Sequence, residues 1–282
     1  DSGCVYAYAE NYCDFDGHFA LRQMVEDGKI GEVVSLEGDF YNDCSAKWHM
    51  LTRGIRNHWR NFVPSTFYCT HSIAPMFYAT GLRATKVNGL EIPRMDYMAE
   101  GGARSGSAAM EVMELSNGGM ARSTHGNLRY PYTTTIRLIG ADGSLESDSE
   151  TVKYYRANGS GGFEITSYKA SFVDFPYRNH ADCGAIGNGD YSAVGFFLAK
   201  ILGDDQWGKY SIDIYQALDM ALPGLLAFRS ILDGGAPYTV PDFRDPAIRV
   251  KYRNDHYCTD PRTPELYRLA TSKSGTPEVG EA

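Results

Sequence analysis

The chain opens on an apolar run, Gly3-Cys4-Val5-Tyr6-Ala7-Tyr8-Ala9, which predicts a buried strand entered from a preceding turn. Asp14 or Asp16 is placed to cap a helix running to about Asp27. Phe19, Leu21, Met24 and Val25 supply its apolar positions, and Gly28 fits its stop. Glu32 to Tyr41 reads as a strand. Residues 44–65 are polar and aromatic without a period, the pattern of a long functional loop. His71 to Thr80 predicts a short helix stopped by Gly81.

From about 84 to 173 the pattern turns β-rich. Ser107–Leu115, Met120–Leu128, Thr133–Ile139, Ser144–Asp148 and Thr151–Arg156 are short runs separated by turn chemistry, most clearly at Ser116-Asn117-Gly118-Gly119 and Ala141-Asp142-Gly143. Consecutive hairpins predict antiparallel pairing. Two helices follow: Asp190–Leu202, and Ser211–Leu232 with a kink expected at Pro223. Pro237 and Pro241 open a loop-rich tail, and Thr271–Ala282, poor in apolar residues, is expected to fray. The layout is α+β: an open, mainly antiparallel sheet with helices on one face. The other face also needs a cover, which predicts a homo-oligomer assembled through the sheet.

Composition adds a surplus of rings, with 20 Tyr, 13 Phe and 3 Trp in 282 residues. Aromatic side chains suit a half-buried pleated sheet, and they also suit a sugar site, where flat rings cover apolar sugar faces. The net charge of −8 argues against nucleic acid or an anionic membrane as partner. No apolar run approaches the roughly 18–20 residues of a membrane span, and no signal-peptide pattern opens the chain. Six scattered cysteines without a CxxC pair fit reduced thiols of a cytoplasmic protein better than a disulfide framework.

No GxGxxG follows a strand and no GxxxxGK[ST] occurs. Gly159-Ser160-Gly161-Gly162 lies between β-like runs and reads as a turn, so the sequence shows no phosphate cradle of its own. Spaced metal-ligand clusters are absent as well, so no metal is expected. The densest polar and aromatic stretch runs from His58-Trp59-Arg60-Asn61 to Tyr68-Cys69-Thr70-His71. His71 stands where loop becomes apolar helix; it is either a helix-start histidine bonded to backbone or a general base for a hydroxyl. Tyr68 can share that task or orient a sugar, while His58 and Arg60 fit a solvated loop as well as a binding one. Asp190, in Asn188-Gly189-Asp190-Tyr191, is either an ordinary helix cap or part of a helix start turned to substrate hydroxyls.

Several of these segments together resemble the glucose–fructose oxidoreductase/inositol dehydrogenase family. They are Ala9-Glu10-Asn11-Tyr12, Gly28-Lys29-Ile30-Gly31-Glu32-Val33, Glu37-Gly38-Asp39-Phe40-Tyr41, His58-Trp59-Arg60, Thr70-His71-Ser72-Ile73-Ala74-Pro75, Tyr78-Ala79-Thr80-Gly81, Gly187-Asn188-Gly189-Asp190-Tyr191, and Gly234-Gly235-Ala236-Pro237 with Pro241. The resemblance runs from residue 1 to about 245. It implies an NAD- or NADP-dependent enzyme acting on a sugar, cyclitol or glycoside. Residues 1–12 would end a nucleotide-binding domain as its last strand, residues 13–270 would form the substrate-binding and oligomerisation domain, and residues 271–282 a flexible tail. The Rossmann domain, with its glycine-rich loop and the lysine of an "EKP" segment, is expected to precede residue 1. His71 and Tyr68 would be catalytic, Asn11 would face the cofactor, and His58, Arg60, Asn188, Asp190 and Tyr191 would bind substrate.

Three departures qualify that resemblance. Phe67 and Ala74 stand where many family dehydrogenases carry aspartate, and Ile186 replaces the histidine of an "HGGxDY" segment. The form Tyr68-x-Thr70-His71-x-x-x-Pro75 looks more like the branch of NAD-dependent glycosidases, which oxidise a sugar hydroxyl transiently and eliminate the aglycone. Three readings therefore stand: a sugar oxidoreductase, a redox-assisted glycoside-cleaving enzyme, and a non-catalytic binding or assembly protein built on the same sheet.

Overall fold

β1 (Val33–Tyr41) buries Leu36, Gly38 and Phe40 on one face while Glu37, Asp39 and Tyr41 line the other, the period of two expected of a half-covered strand. The computed structural model, which describes residues 3–171, 175–176 and 188–277, sets this strand in the middle of one nine-stranded sheet. Its companions are β2 (Ala84–Ile92), β3 (Ala108–Leu115), β4 (Met120–Gly126), β5 (Thr133–Gly140), β6 (Gly143–Ser147), β7 (Thr151–Ala157), β8 (Phe163–Lys169) and β9 (Tyr238–Thr239), in the order β8-β7-β6-β5-β1-β4-β3-β2-β9. The predicted hairpins form at Ser116–Gly119, between β3 and β4, and at Ala141–Asp142, between β5 and β6. Pairing is antiparallel throughout except between β1 and β4, which run parallel. The sheet is thus mainly antiparallel, as expected, with this one parallel pair. The chain leaves β1, passes through a helix and two more strands, and inserts β4 beside it, so β1 separates the two hairpin groups.

The helices are α1 (Asp16–Glu26), α2 (Thr70–Thr80), α3 (Asn188–Leu202) and α4 (Ile214–Leu232), with shorter turns between them. One buried cluster joins Leu21 of α1, Ile73 and Met76 of α2 and Leu226 of α4 to Leu36, Val87, Met113, Ile136 and Leu145 of the sheet, so these three helices cover a single face. α4 begins with a capping box, Asp213 and Gln216 each bonding the other's backbone. α2 ends at Gly81, whose φ of +68° suits glycine and whose N–H reaches the Phe77 carbonyl. Gly38 sets the approach of α2 to β1, since an added Cβ there would run into the Ser72 carbonyl oxygen.

The opposite face is polar in its centre. Across one row of the sheet, Arg122, Glu37, Arg137, Glu146 and Lys153 stand opposite one another in turn. Arg122 bonds Glu37 at 2.9 Å and Asp39 at 3.0 Å, and Arg137 bonds Glu146 at 2.7 Å. Leu90, Met110 and Val112 flank the row as an exposed aliphatic patch.

Several local expectations change. Residues 3–10 form no strand, and Val5 and Tyr6 are exposed; Tyr8 N–H donates to the Ile212 carbonyl at 3.0 Å. Neither Asp14 nor Asp16 caps α1: Phe15 precedes it without a side-chain bond, and Asp14 is buried in a 3-10 turn, Asn11–Asp14. The segment 44–65 contains the short turns Ser45–Lys47, Trp48–Leu51 and Trp59–Phe62. Asp190 lies within the first turn of α3, which starts at Asn188, so it is not the cap. Thr271 and Ser272 are buried, and Thr271 Oγ1 donates to the Arg104 carbonyl at 2.6 Å. Among the described residues no helix is long and apolar enough to cross a membrane.

Candidate functional site

Glu10 caps the 3-10 turn Asn11–Asp14, its carboxylate accepting the Tyr12 N–H at 3.4 Å. The same oxygen meets Nδ1 of His71 at 2.7 Å, across from the start of α2. Glu10 is buried, and the His71 side chain keeps 21% of its surface open. With a carboxylate oxygen at Nδ1, that nitrogen donates and the lone pair falls on Nε2. Two rings hold the imidazole plane. Tyr12 stacks on it with centroids 4.0 Å apart, and Phe40 of β1 meets it edge-on at 4.8 Å.

Tyr12 is itself fixed on three sides. Its hydroxyl bonds that of Tyr132 at 2.5 Å, its carbonyl meets Nδ1 of His18 at 2.6 Å, and its ring packs edge-on against Phe15. Burial pushes the His18 imidazole down to about 4, so the ring is neutral at ordinary pH. Burial, then the Glu10 carboxylate, pushes the Tyr8 phenol up to about 12. The Tyr12 phenol is raised as well, by burial first and by its Tyr132 partner next. Both phenols therefore stay protonated near pH 7.

Tyr68 lies beside His71, ring centroids 5.6 Å apart, and its oxygen accepts from Nη1 of Arg60 at 2.5 Å. The Arg60 guanidinium also covers the Trp59 ring at 4.7 Å. His58, by contrast, caps the Trp59–Phe62 turn, its Nδ1 accepting the Arg60 N–H at 3.2 Å while its ring tilts against Trp59. α3 reaches the site through Gly189, which is pressed against the Asn11 carbonyl so closely that a Cβ would not fit. Asp190 is half-buried near enough to Tyr12 for its charge to act on that phenol, and Tyr191 is exposed. Ile186 and Gly187 of the predicted glycine-rich segment lie outside the described residues, as does the side chain of Asn188.

Beneath α2 the inner sheet face carries a polar stripe. Ser72 bonds Ser123 at 2.7 Å, Ser123 stands 3.3 Å from Nδ1 of His125, and Glu111 lies 3.4 Å from the same nitrogen. Glu111 and His125 are fully buried. Burial pushes the Glu111 carboxyl up to about 8, and burial followed by the nearby His71 pushes His125 down to about 3. Both are neutral near pH 7.

The structure thus joins His71, Tyr68 and Arg60, brings α3 against Asn11, and gives His58 a capping contact. Glu10, Tyr12, Phe40 and Tyr132 complete the cluster; the first three lie in segments that carry the family resemblance but were not picked as site residues, and Tyr132 was not singled out. The available signal was a lone carboxylate closing an apolar run. Among the described residues no group of three or more His, Cys, Asp or Glu side chains could hold a metal, and Cys13, Cys44, Cys69 and Cys258 are free thiols.

No protein-family model matches the chain. A curated glycosyl hydrolase family 109 protein from Streptomyces coelicolor is 23% identical over 269 residues, an alignment covering 82% of this chain and 55% of that protein. The chain therefore spans about half the length of the curated relative it matches. Among solved structures, levoglucosan dehydrogenase in complex with NADH and levoglucosan aligns with a TM-score of 0.63 at 18% identity, over 86% of this chain and 67% of that one. An inositol dehydrogenase homolog from Azotobacter vinelandii, complexed with NADH and myo-inositol, gives 0.58 at 15% identity, over 83% and 64%. An oxidoreductase from Sinorhizobium meliloti gives 0.64 at 14% identity, over 85% and 66%. These likenesses establish a shared α+β fold and support the family resemblance seen in the sequence.

Proposed function

We propose that residues 13–270 form the substrate-binding and assembly domain of a nicotinamide-dependent oxidoreductase acting on a hydroxyl of a sugar, cyclitol or glycoside. The observation that carries this reading is the Glu10–His71 pair: a buried carboxylate 2.7 Å from a partly open imidazole wedged between Tyr12 and Phe40. A structural histidine needs no ring clamp that leaves its second nitrogen as an acceptor. Both NADH-bound neighbours are complexed with a sugar or cyclitol, levoglucosan in one and myo-inositol in the other, which supports the substrate class.

In this reading Nε2 of His71 accepts the proton of the reacting hydroxyl, and Glu10 stabilises the imidazolium that forms. Tyr68, with its oxygen already engaged by Arg60, turns its O–H toward a neighbouring hydroxyl. Tyr191 and Asp190 on the first turn of α3 supply further hydrogen bonds to the sugar. The described residues offer no dinucleotide cradle, since no glycine-rich turn links a strand to a helix N-terminus as a pyrophosphate requires. In this reading NAD or NADP would be held mainly by residues other than these, with Asn11 at the border. The aliphatic patch of Leu90, Met110 and Val112 is the surface this reading gives to a second copy.

A second reading, cleavage of a glycoside by transient oxidation and elimination, is favoured by the family 109 relative. Incubating the full-length protein and nicotinamide cofactor with aryl glycosides separates the two. NADH accumulation marks the dehydrogenase, and aglycone release without NADH accumulation marks the cleaving enzyme. Neither product in a screen of hexosides, N-acetylhexosaminides and free cyclitols would overturn both.

A further inference from the structure

Behind the loop that carries Tyr68 lies a second chamber, about 450 Å³ in volume, between that loop, α4 and the segment 241–269. This size falls within the range of small-molecule sites. Its walls are rings and aliphatic chains, among them Trp59, Phe67, Leu225, Phe243, Tyr252 and Tyr257. Trp59 and Phe67 leave 41% and 42% of their surface open, and Leu225 on its rim 58%. Such exposure of large apolar side chains around one concavity calls for an occupant.

The charges of the chamber describe that occupant. Arg229 forms a two-pronged bond with Asp255, at 2.7 and 2.6 Å, and Asp260 is engaged by Arg262 at 2.6 Å. Every charged group on the wall already has its counter-ion, so no net charge is left to select an ion. A neutral, flat, apolar molecule fits this lining best.

Continuity with the His71 site says where the molecule comes from. Arg60 lies over the Trp59 ring and bonds Tyr68, and Phe67 packs edge-on against Tyr68 at 5.3 Å, so two rings of the chamber wall adjoin the Tyr68–Arg60 pair. A sugar held beside Tyr68 would therefore place its aglycone next to Trp59 and Phe67. We infer that this chamber binds the aromatic aglycone of a glycoside whose sugar lies against Tyr68 and His71. The inference rests on the glycoside form of the function proposed above.

The test separates the chamber from the chemistry by measuring equilibrium binding of 2-naphthol to the full-length protein, by titration calorimetry. Saturable one-to-one binding is expected, weakened about tenfold or more by Leu225→Arg, which brings an unpaired charge into the apolar wall, and by Phe67→Ala. His71→Ala, expected to lose turnover, should bind 2-naphthol as the parent does. No saturable binding, or equal affinity in the parent and both chamber variants, would overturn the inference. So would a change from dimer to monomer on Leu225→Arg with 2-naphthol binding intact, since a second copy would then be the occupant. Loss of turnover evidence on glycosides with 2-naphthol binding retained would fail the sugar reading while leaving the chamber an apolar-ligand site.

Discussion

Nδ1 of His71 and Oε1 of Glu10 lie 2.7 Å apart although 61 residues separate them in the chain. The contact exists because the 3-10 turn after Glu10 lodges between α2 and α3. Glu10→Gln keeps the size of the side chain and removes the charge that favours the imidazolium. It is expected to lower kcat by about 10²-fold with KM little changed, because the lost interaction strengthens only as the proton moves. Steady-state kinetics with the best-accepted sugar would check this, and an effect confined to KM would give Glu10 a binding role instead.

Tyr12 supplies a ring and a hydroxyl with separable roles. Tyr12→Phe loses the bond to Tyr132 but keeps the stack on His71, and should retain turnover within about threefold. Tyr12→Ala removes the clamp and should cost about tenfold or more, because a misaligned base loses its geometric advantage. Equal losses in both variants would shift the role of Tyr12 from its ring to its hydroxyl.

The buried stripe under α2 predicts how stability varies with pH. Glu111 rises from 4.5 to about 8 on burial, so the unfolded chain releases this proton first and stability falls as pH climbs between those values. His125 and His18 fall from 6.5 to about 3 and about 4, so their contribution is full above 6.5 and is lost on acidification below it. The terms oppose one another on the acid side of 6.5, while between 6.5 and 8 the Glu111 loss acts against no histidine gain. Urea unfolding midpoints should decline over that upper window, and Glu111→Gln should flatten the decline. A slope unchanged in Glu111→Gln would assign the titration to another group.

Gly38 fixes the seat of α2 on β1. Gly38→Ala directs a methyl group into the Ser72 carbonyl, and overpacking of this kind costs about 1–3 kcal/mol. The same shift displaces His71 one residue away, so turnover should fall together with the unfolding midpoint. An unaffected midpoint would mean that helix and strand separate freely.

Local chemistry made much of this legible before the structure. The Ser116–Gly119 and Ala141–Asp142 turns lie where glycine and asparagine dictate hairpins, and α2 stops at Gly81. The parallel β1–β4 pair was not legible, because it joins strands divided by a helix and two other strands, a separation no local pattern reports. The apolar run Val5–Ala9 has the composition of a strand, and among the described residues no strand pairs with it. At the site, Tyr68 and His71 were visible as a dense polar and aromatic stretch. Glu10 was not, since a carboxylate's value as a partner depends on what folds against it. His58, a residue that by type fits a solvated loop as well as a binding one, bonds its own turn through Nδ1.

The most direct test of His71 as the base for a sugar hydroxyl is turnover by His71→Ala in the full-length protein with a nicotinamide cofactor, followed by NADH absorbance and aglycone release in parallel. The expected result is a loss of about 10²–10⁴-fold in whichever signal the parent gives, with circular dichroism and the urea midpoint close to those of the parent. Near-normal turnover by that variant would contradict it.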